Sequence, residues 1–215
     1  MIPFNKYKYI YPPRPKNPIH SDDLNFWDNN SMIAQPKFNG SNSVLFTNGI
    51  TNYKMGRHGQ NLTNFNLVKT EIDYIHELSG LDKGQWLVLN GEYLNKNKLD
   101  ENNKSFNHKF IIFDILVYHA YLVGETHENR ILRLDGIFGK NESEKDYLYS
   151  ISDNFYRTKS YTNGFLPLYN EFSKIDVLEG LVLKRKNAKL ELGNTENNNT
   201  KSMIKCRKMT KLYKY

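Results

Sequence analysis

Residues 110–116 read FIIFDIL, an otherwise continuous buried run with one carboxylate, Asp114, set inside it. A carboxylate in such a strand must be hydrogen-bonded or ligated, because burying it unpaired is costly. The whole β-rich stretch is 109–117, and similar short runs recur at 33–37, 43–47, 86–94, 180–184 and 202–208. Between them, residues 64–79 place Val68, Ile72, Ile75 and Leu78 at helical spacing. Segments 127–138 and 170–178 are further helix candidates. Strands joined mostly by hairpins and loops, with a few helices packed outside, give an α+β fold. A length of 215 residues suits one well-buried core and would cramp a second full domain. The expectation is a single domain over 1–215, with an extended, proline-rich segment at 1–20 and a basic tail at 208–215. The Asn- and Lys-rich stretches 95–108 and 194–201 read as exposed loops.

Charge is unevenly spread. From position 201 onward there are Lys201, Lys205, Arg207, Lys208, Lys211 and Lys214 and no acid, and the first 18 residues add Lys6, Lys8, Arg14 and Lys16, again without an acid. Basic ends interleaved with Tyr and Phe suit a polyphosphate partner, cations pairing with phosphates and rings offering stacking faces. A lone cysteine, Cys206, excludes an internal disulfide framework and a cysteine-rich zinc site. No run approaches the roughly 18 apolar residues of a bilayer span. The opening stretch has no apolar region of the secretory type. The expectation is an intracellular, monomeric protein without a membrane partner, cytoplasmic or made by a phage or other virus inside its host.

An ordered series of short polar motifs is embedded in these strands. In AQPKFNGSNSVLF, Lys37 ends one strand and Asn39-Gly40 leads into the next, a strong hairpin signal because both residues tolerate positive φ. YKMGRHG follows, its glycines letting the backbone approach a ligand and the Arg57 fork suiting a phosphate or ribose. Next come Asn90-Gly91-Glu92 in WLVLNGEYL, Phe113-Asp114 in FIIFDIL, and Glu179 with Lys184 in LEGLVLKRK. In MIKCRK, Lys205 and Arg207 fall on one face of a strand.

This order resembles the covalent nucleotidyltransferase superfamily of ATP-dependent DNA ligases, RNA ligases and mRNA capping guanylyltransferases. The family's K-x-D-G, R-x-G, D/N-G-E, aromatic-D, E-G and K-x-K motifs look like KFNG, RHG, NGE, FD, EGLVLK and KCR here. Asn39 replaces the usual aspartate, at a position that varies among RNA ligases, and Arg207 replaces the second lysine of the last motif, keeping its charge but not its compact ammonium.

The resemblance implies a nucleotidyltransferase (ATP-grasp-like) domain of antiparallel sheets flanked by helices. It implies an ATP-dependent polynucleotide ligase that carries AMP on Lys37. Phe113 would stack on adenine, Gln35 would read its edge, and Glu92 would contact ribose or metal. Glu179 would be the metal-site carboxylate, with Glu92 as second candidate. Lys205 and Arg207 would grip the α-phosphate, while Arg57 and Lys184 would add positive charge that activates the lysine and steadies the phosphates. Mg²⁺ or Mn²⁺ would be held by phosphates and one or two carboxylates. Only eight residues follow Arg207, too few for the oligonucleotide-binding barrel that DNA ligases and capping enzymes carry there. RNA is therefore the expected strand. A DNA ligase, a GTP-using capping enzyme and a non-catalytic nucleic-acid-binding module are the alternatives.

Overall fold

The computed structural model describes residues 14–56, 59–191 and 199–209. Two sheets carry the fold. The smaller has the order β1 (Arg14–Ile19), β11 (Asn199–Arg207), β10 (Leu178–Arg185), β2 (Met32–Phe38). The larger runs β4 (Asn52–Gly56), β3 (Ser41–Thr47), β5 (Leu87–Leu94), β6 (Lys109–Tyr118), β9 (Phe155–Thr158), β8 (Leu148–Ser150), with β7 (Ala120–Tyr121) paired to β6. Pairing is antiparallel except for β1 with β11 and β6 with β9. Pro15 and Pro18 sit in β1 at the edge of its sheet, where a missing N–H is tolerated. The rest of the proline-rich start, the 192–198 stretch and Lys211 and Lys214 lie outside the described residues.

The helices are α1 (Leu24–Trp27), α2 (Lys69–Leu78), α3 (His127–Phe138) and α4 (Phe165–Phe172). All are too short to stand alone in water, so packing holds them. Ile72 and Ile75 of α2 and Leu134 and Phe138 of α3 enter one core with the large sheet. Leu24, Phe165 and Phe172 enter a second core, against Ala34, Phe38, Leu181, Leu183, Ile204 and Cys206 of the small sheet. Each such side chain contributes about 1.5–3 kcal/mol of burial.

Four expectations are corrected, three of them local. Helix α2 begins at Lys69, not 64: Phe65 and Leu67 are buried from an irregular stretch, Val68 is 56% exposed, and the Glu71 carboxylate accepts the Val68 N–H at 3.1 Å. The 170–178 candidate becomes Phe165–Phe172, since Asp28 Oδ2 accepts the Gly164 N–H (2.8 Å) and starts the helix earlier, while 178 already belongs to β10. The 95–108 loop is not simply solvated: Asp100 and Phe106 are buried within it.

The largest correction concerns Asn39-Gly40. β2 and β3 do not form a hairpin. β2 pairs with β10 in the small sheet and β3 with β4 and β5 in the large one, so the two residues form a corner that carries the chain between sheets. Neither has positive φ. Gly40 is needed for closeness instead: a Cβ there would stand 2.6 Å from the Tyr93 carbonyl oxygen. The corner is pinned by Asn39 N–H to the Val177 carbonyl (2.9 Å) and Gly40 N–H to Glu92 Oε1 (3.1 Å).

Candidate active site

Register in the small sheet brings the motif residues together. Lys37, Gly180 and Arg207 lie directly opposite one another across β2, β10 and β11, and Gln35, Val182 and Lys205 form the next row on the same face. The opposite face carries the apolar core residues. A bulge between Leu178 and Gly180 inserts Glu179 as an extra residue and turns its carboxylate onto the polar face. Its Oε2 accepts from Lys37 Nζ at 2.6 Å and its Oε1 from Arg207 Nη2 at 2.9 Å. Gly180 has φ +128°, and a Cβ there would stand 2.2 Å from the Cys206 carbonyl oxygen, so the residue after Glu179 has to be glycine for β10 to pair with β11.

Two further carboxylates bound the site differently. Glu92 holds the corner after Lys37 through Gly40, while Asn42 Nδ2 donates to Asn90 Oδ1 at 3.1 Å. Asp114 is 3% exposed and receives a bidentate Arg130 guanidinium, Nε to Oδ1 at 2.8 Å and Nη2 to Oδ2 at 2.9 Å. Burial alone would raise its pKa. The Arg130 charge and hydrogen bonds, with smaller help from the Lys184 charge, outweigh this and hold the carboxyl well below the usual range. Burial, reinforced by the Lys184 charge, keeps His127 well below an ordinary histidine and therefore neutral. The need for a partner to Asp114 was readable in the strand; that Arg130 supplies it was not.

Phe113 is half-buried, with Lys184 behind it. The Lys184 ammonium lies 5.0 Å from the ring centroid and donates to the Phe113 carbonyl at 3.3 Å. Lys184 is 3% exposed, and burial pushes its pKa down to about 8 despite Asp114. Of the cations expected around Lys37, Arg207 and Lys205 share its sheet face, whereas Lys184 stands behind Phe113. The group on the Lys37 amine is a carboxylate, and Lys184 bears on the site through Phe113. Gln35 is also buried; its Nε2 donates to Ser160 Oγ at 3.0 Å, and its Oε1 has no hydrogen-bond partner among the described residues. Ser160 carried no signal in the sequence. Arg57 and His58 lie outside the described residues, between Gly56 and a positive-φ Gly59.

Among the described residues no group of three or more His, Cys, Asp or Glu side chains could hold a metal. Both oxygens of Glu179 already accept from cations. The donor set therefore fits a hard divalent ion only where nucleotide phosphates supply most ligands, with Glu179 or Glu92 adding a carboxylate.

No family model matches the chain, and no curated protein matches it in sequence. Solved structures do match in fold. Mycobacterial DNA ligase D, complexed with ATP and MES, is 15% identical with a TM-score of 0.54, over 82% of this chain and 54% of that one. A Lig E DNA ligase is 13% identical with a TM-score of 0.53, over 92% and 69%. The ATP-dependent DNA ligase of bacteriophage T7, in complex with ATP, is 14% identical with a TM-score of 0.51, over 92% and 68%. The chain thus spans about half the length of the mycobacterial structure. The likeness is one of fold: a mixed α+β architecture of two sheets and packed helices shared with these ligase structures, its sheets not closed into a barrel.

Proposed function

We propose that this protein is an ATP-dependent polynucleotide ligase that takes AMP from ATP onto Lys37. The observation that carries this reading is the Lys37–Glu179–Arg207 constellation, an amine and a guanidinium sharing one carboxylate, placed in a ligase-type fold. In the first step Lys37 Nζ attacks the α-phosphorus, an N–P bond forms, and the bond to the pyrophosphate oxygen breaks. Two protons leave the nitrogen: one passes to Glu179 Oε2, 2.6 Å away, and the other to solvent. Arg207 and Lys205 lie on the same sheet face and balance the charge on the transferring phosphoryl group. A divalent ion arriving with the nucleotide, bound at Glu179 or Glu92, would neutralise further phosphate charge.

Phe113 offers its half-buried ring to the adenine, and the orphaned Gln35 Oε1 suits the adenine amino group, a donor where guanine has an acceptor. In the second step a 5′-phosphate oxygen attacks the AMP phosphorus and the N–P bond breaks, freeing Lys37. A 3′-OH then attacks the activated 5′-phosphate, sealing the strand and releasing AMP.

The finer reading is RNA on the 3′-OH side of the break. Fold does not fix the sugar; Asn39, at a position that varies among RNA ligases, and a 2′-OH readable by a small site support it. The test has two stages. The protein is incubated with α-labelled ATP or GTP and Mg²⁺, and covalent label is followed on the denatured chain. ATP label is expected; GTP label would make it a capping-type enzyme, and no label would overturn the reading. Single-turnover sealing of pre-adenylylated nicks that differ only in sugar is expected to be faster with a 3′-OH RNA strand. Equal or faster sealing of all-DNA nicks would overturn the RNA preference alone.

Phe113→Leu should weaken ATP binding by roughly 1–3 kcal/mol, the worth of one base–aromatic stack, with the fold intact. A titration showing unchanged affinity alongside a lowered melting temperature would make Phe113 ordinary core.

A further inference from the structure

The loop between β5 and β6 is rich in Asn and Lys, yet it is fixed tightly against the start of β10. Asp100 is buried and accepts from the Asn102 and Lys104 N–H groups (both 2.9 Å) and from Lys145 Nζ (2.7 Å). Lys145 also reaches Glu101 at 3.2 Å, and the Tyr147 hydroxyl donates to the other Glu101 oxygen at 2.7 Å. The loop's own carboxylates are therefore occupied by Lys145 and Tyr147 from a neighbouring segment, and its lysines are left to other partners or to solvent. Lys96 and Lys104 are exposed. Lys98 is held by its neighbours: its carbonyl accepts the Phe106 N–H (2.8 Å), and Leu99 exchanges bonds with the Val177 N–H and the Asp176 carboxylate.

This places Lys98 beside the catalytic corner. Asn39 donates to Val177, the residue that Leu99 also holds, and Lys208 N–H donates to the Glu179 carbonyl at 2.8 Å. The Lys98 ammonium lies 3.1 Å from Asp176 Oδ1. The Lys208 ammonium donates to the Ile175 carbonyl at 2.9 Å, one residue before Asp176. Two lysines thus converge on residues 175–176, Lys98 paired with the half-exposed Asp176 carboxylate and Lys208 docked on the carbonyl just before it. A surface pair of this kind contributes little to stability, and the loop is already anchored by Asp100, Lys145 and its backbone bonds. Stability does not account for bringing two lysines together here; an anion does.

We propose that Lys98 and Lys208, flanking Asp176, form a seat for a backbone phosphate of the polynucleotide being joined, next to Lys37. This rests on the ligase reading above. The seat commits to a strand phosphate rather than to ATP because it is built from the 95–108 loop, the residue pair before β10 and the residue after β11, not from the sheet face that carries Lys37, and exposed Lys96 and Lys104 extend the basic surface along that loop.

The test uses the full chain and a nicked duplex without ATP, with binding measured across a salt series. Lys98→Ala should weaken binding and make the log K against log salt slope shallower by roughly 0.7–0.9 for the lost contact, and Lys98→Arg should restore both. Lys208→Ala should act in the same direction. An unchanged slope in both alanine variants would overturn the seat. So would an equal fall in duplex-free labelling by ATP in Lys98→Ala, which would assign the lysine to the nucleotide. Should the wild-type protein take no label at all while the slope still falls with Lys98→Ala, the strand seat stands and the ligase reading falls.

Discussion

Lys37→Arg should take up no AMP, although it keeps a positive charge able to pair with Glu179. The reason lies in the nitrogen. A lysine amine can lose its proton and attack, whereas a guanidinium, with a pKa above about 12, presents no free lone pair at neutral pH. Lys37→Ala should fail equally, but there the loss could be read as a disturbed site, because Glu179 and Arg207 would be left to rearrange. The arginine variant removes that ambiguity. Lys69→Ala is the matched control: Lys69 lies on α2, is largely exposed and pairs with Asp73 one helical turn on. It should label as fully as the wild type. Intact-mass analysis after incubation with ATP and Mg²⁺ reads all four proteins together. An adenylylated Lys37→Arg protein would move the nucleophile elsewhere and overturn the assignment.

The polar motifs were legible because each breaks a β run in a way that core packing does not explain. Lys205 and Arg207 follow from strand alternation, and register in β11 places them on one face as expected. Asp114 announced a buried partner because a charge in FIIFDIL has no other reason to persist. What the sequence could not convey is long-range pairing. Arg130 sits 16 residues beyond Asp114 on a helix whose apolar spacing says nothing about which arginine turns inward. The Asn39-Gly40 pair carries a genuine hairpin signal, and that signal misled. Local turn chemistry describes the two residues, while β2 is drawn to β10, at least 140 positions on (Phe38 to Leu178), and β3 pairs instead with β4 and β5. Glu179 reaches Lys37 across a separation of 142 residues, through a bulge that no spacing rule foretells. Lys184 reads as one more cation for the phosphates; only the structure shows it buried behind Phe113.

Asp114→Asn should destabilise the fold by about 3–5 kcal/mol near pH 7, the usual cost of removing one partner from a buried ion pair. Asparagine fits the space and can still accept the Ile115 N–H that Asp114 Oδ1 now takes at 2.9 Å, so packing contributes little to the loss. Charge contributes most. Arg130 and Lys184 are both buried, His127 is neutral, and Asp114 is the carboxylate that faces them. The pH dependence separates this account from a packing effect. Lys184 has a folded pKa of about 8, below its ordinary 10.5. Between those values the unfolded chain holds a proton that the folded chain has released, so this group's contribution to stability rises with pH. Below about pH 8 it carries the full penalty of a buried ammonium. Removing Asp114 withdraws the attraction that keeps Lys184 protonated, so its folded pKa should fall further and the relief should begin at lower pH. The deficit of Asp114→Asn against wild type should consequently be larger at pH 7 than at pH 9, and urea denaturation of both proteins at the two values measures it. Comparing the two at one pH cancels the contributions of Cys206 and the buried tyrosines, whose raised pKa values act on both chains alike. A deficit that stayed below about 1 kcal/mol at pH 7, the range of an exposed pair, would show that the Asp114–Arg130 bridge does not hold β6 to α3.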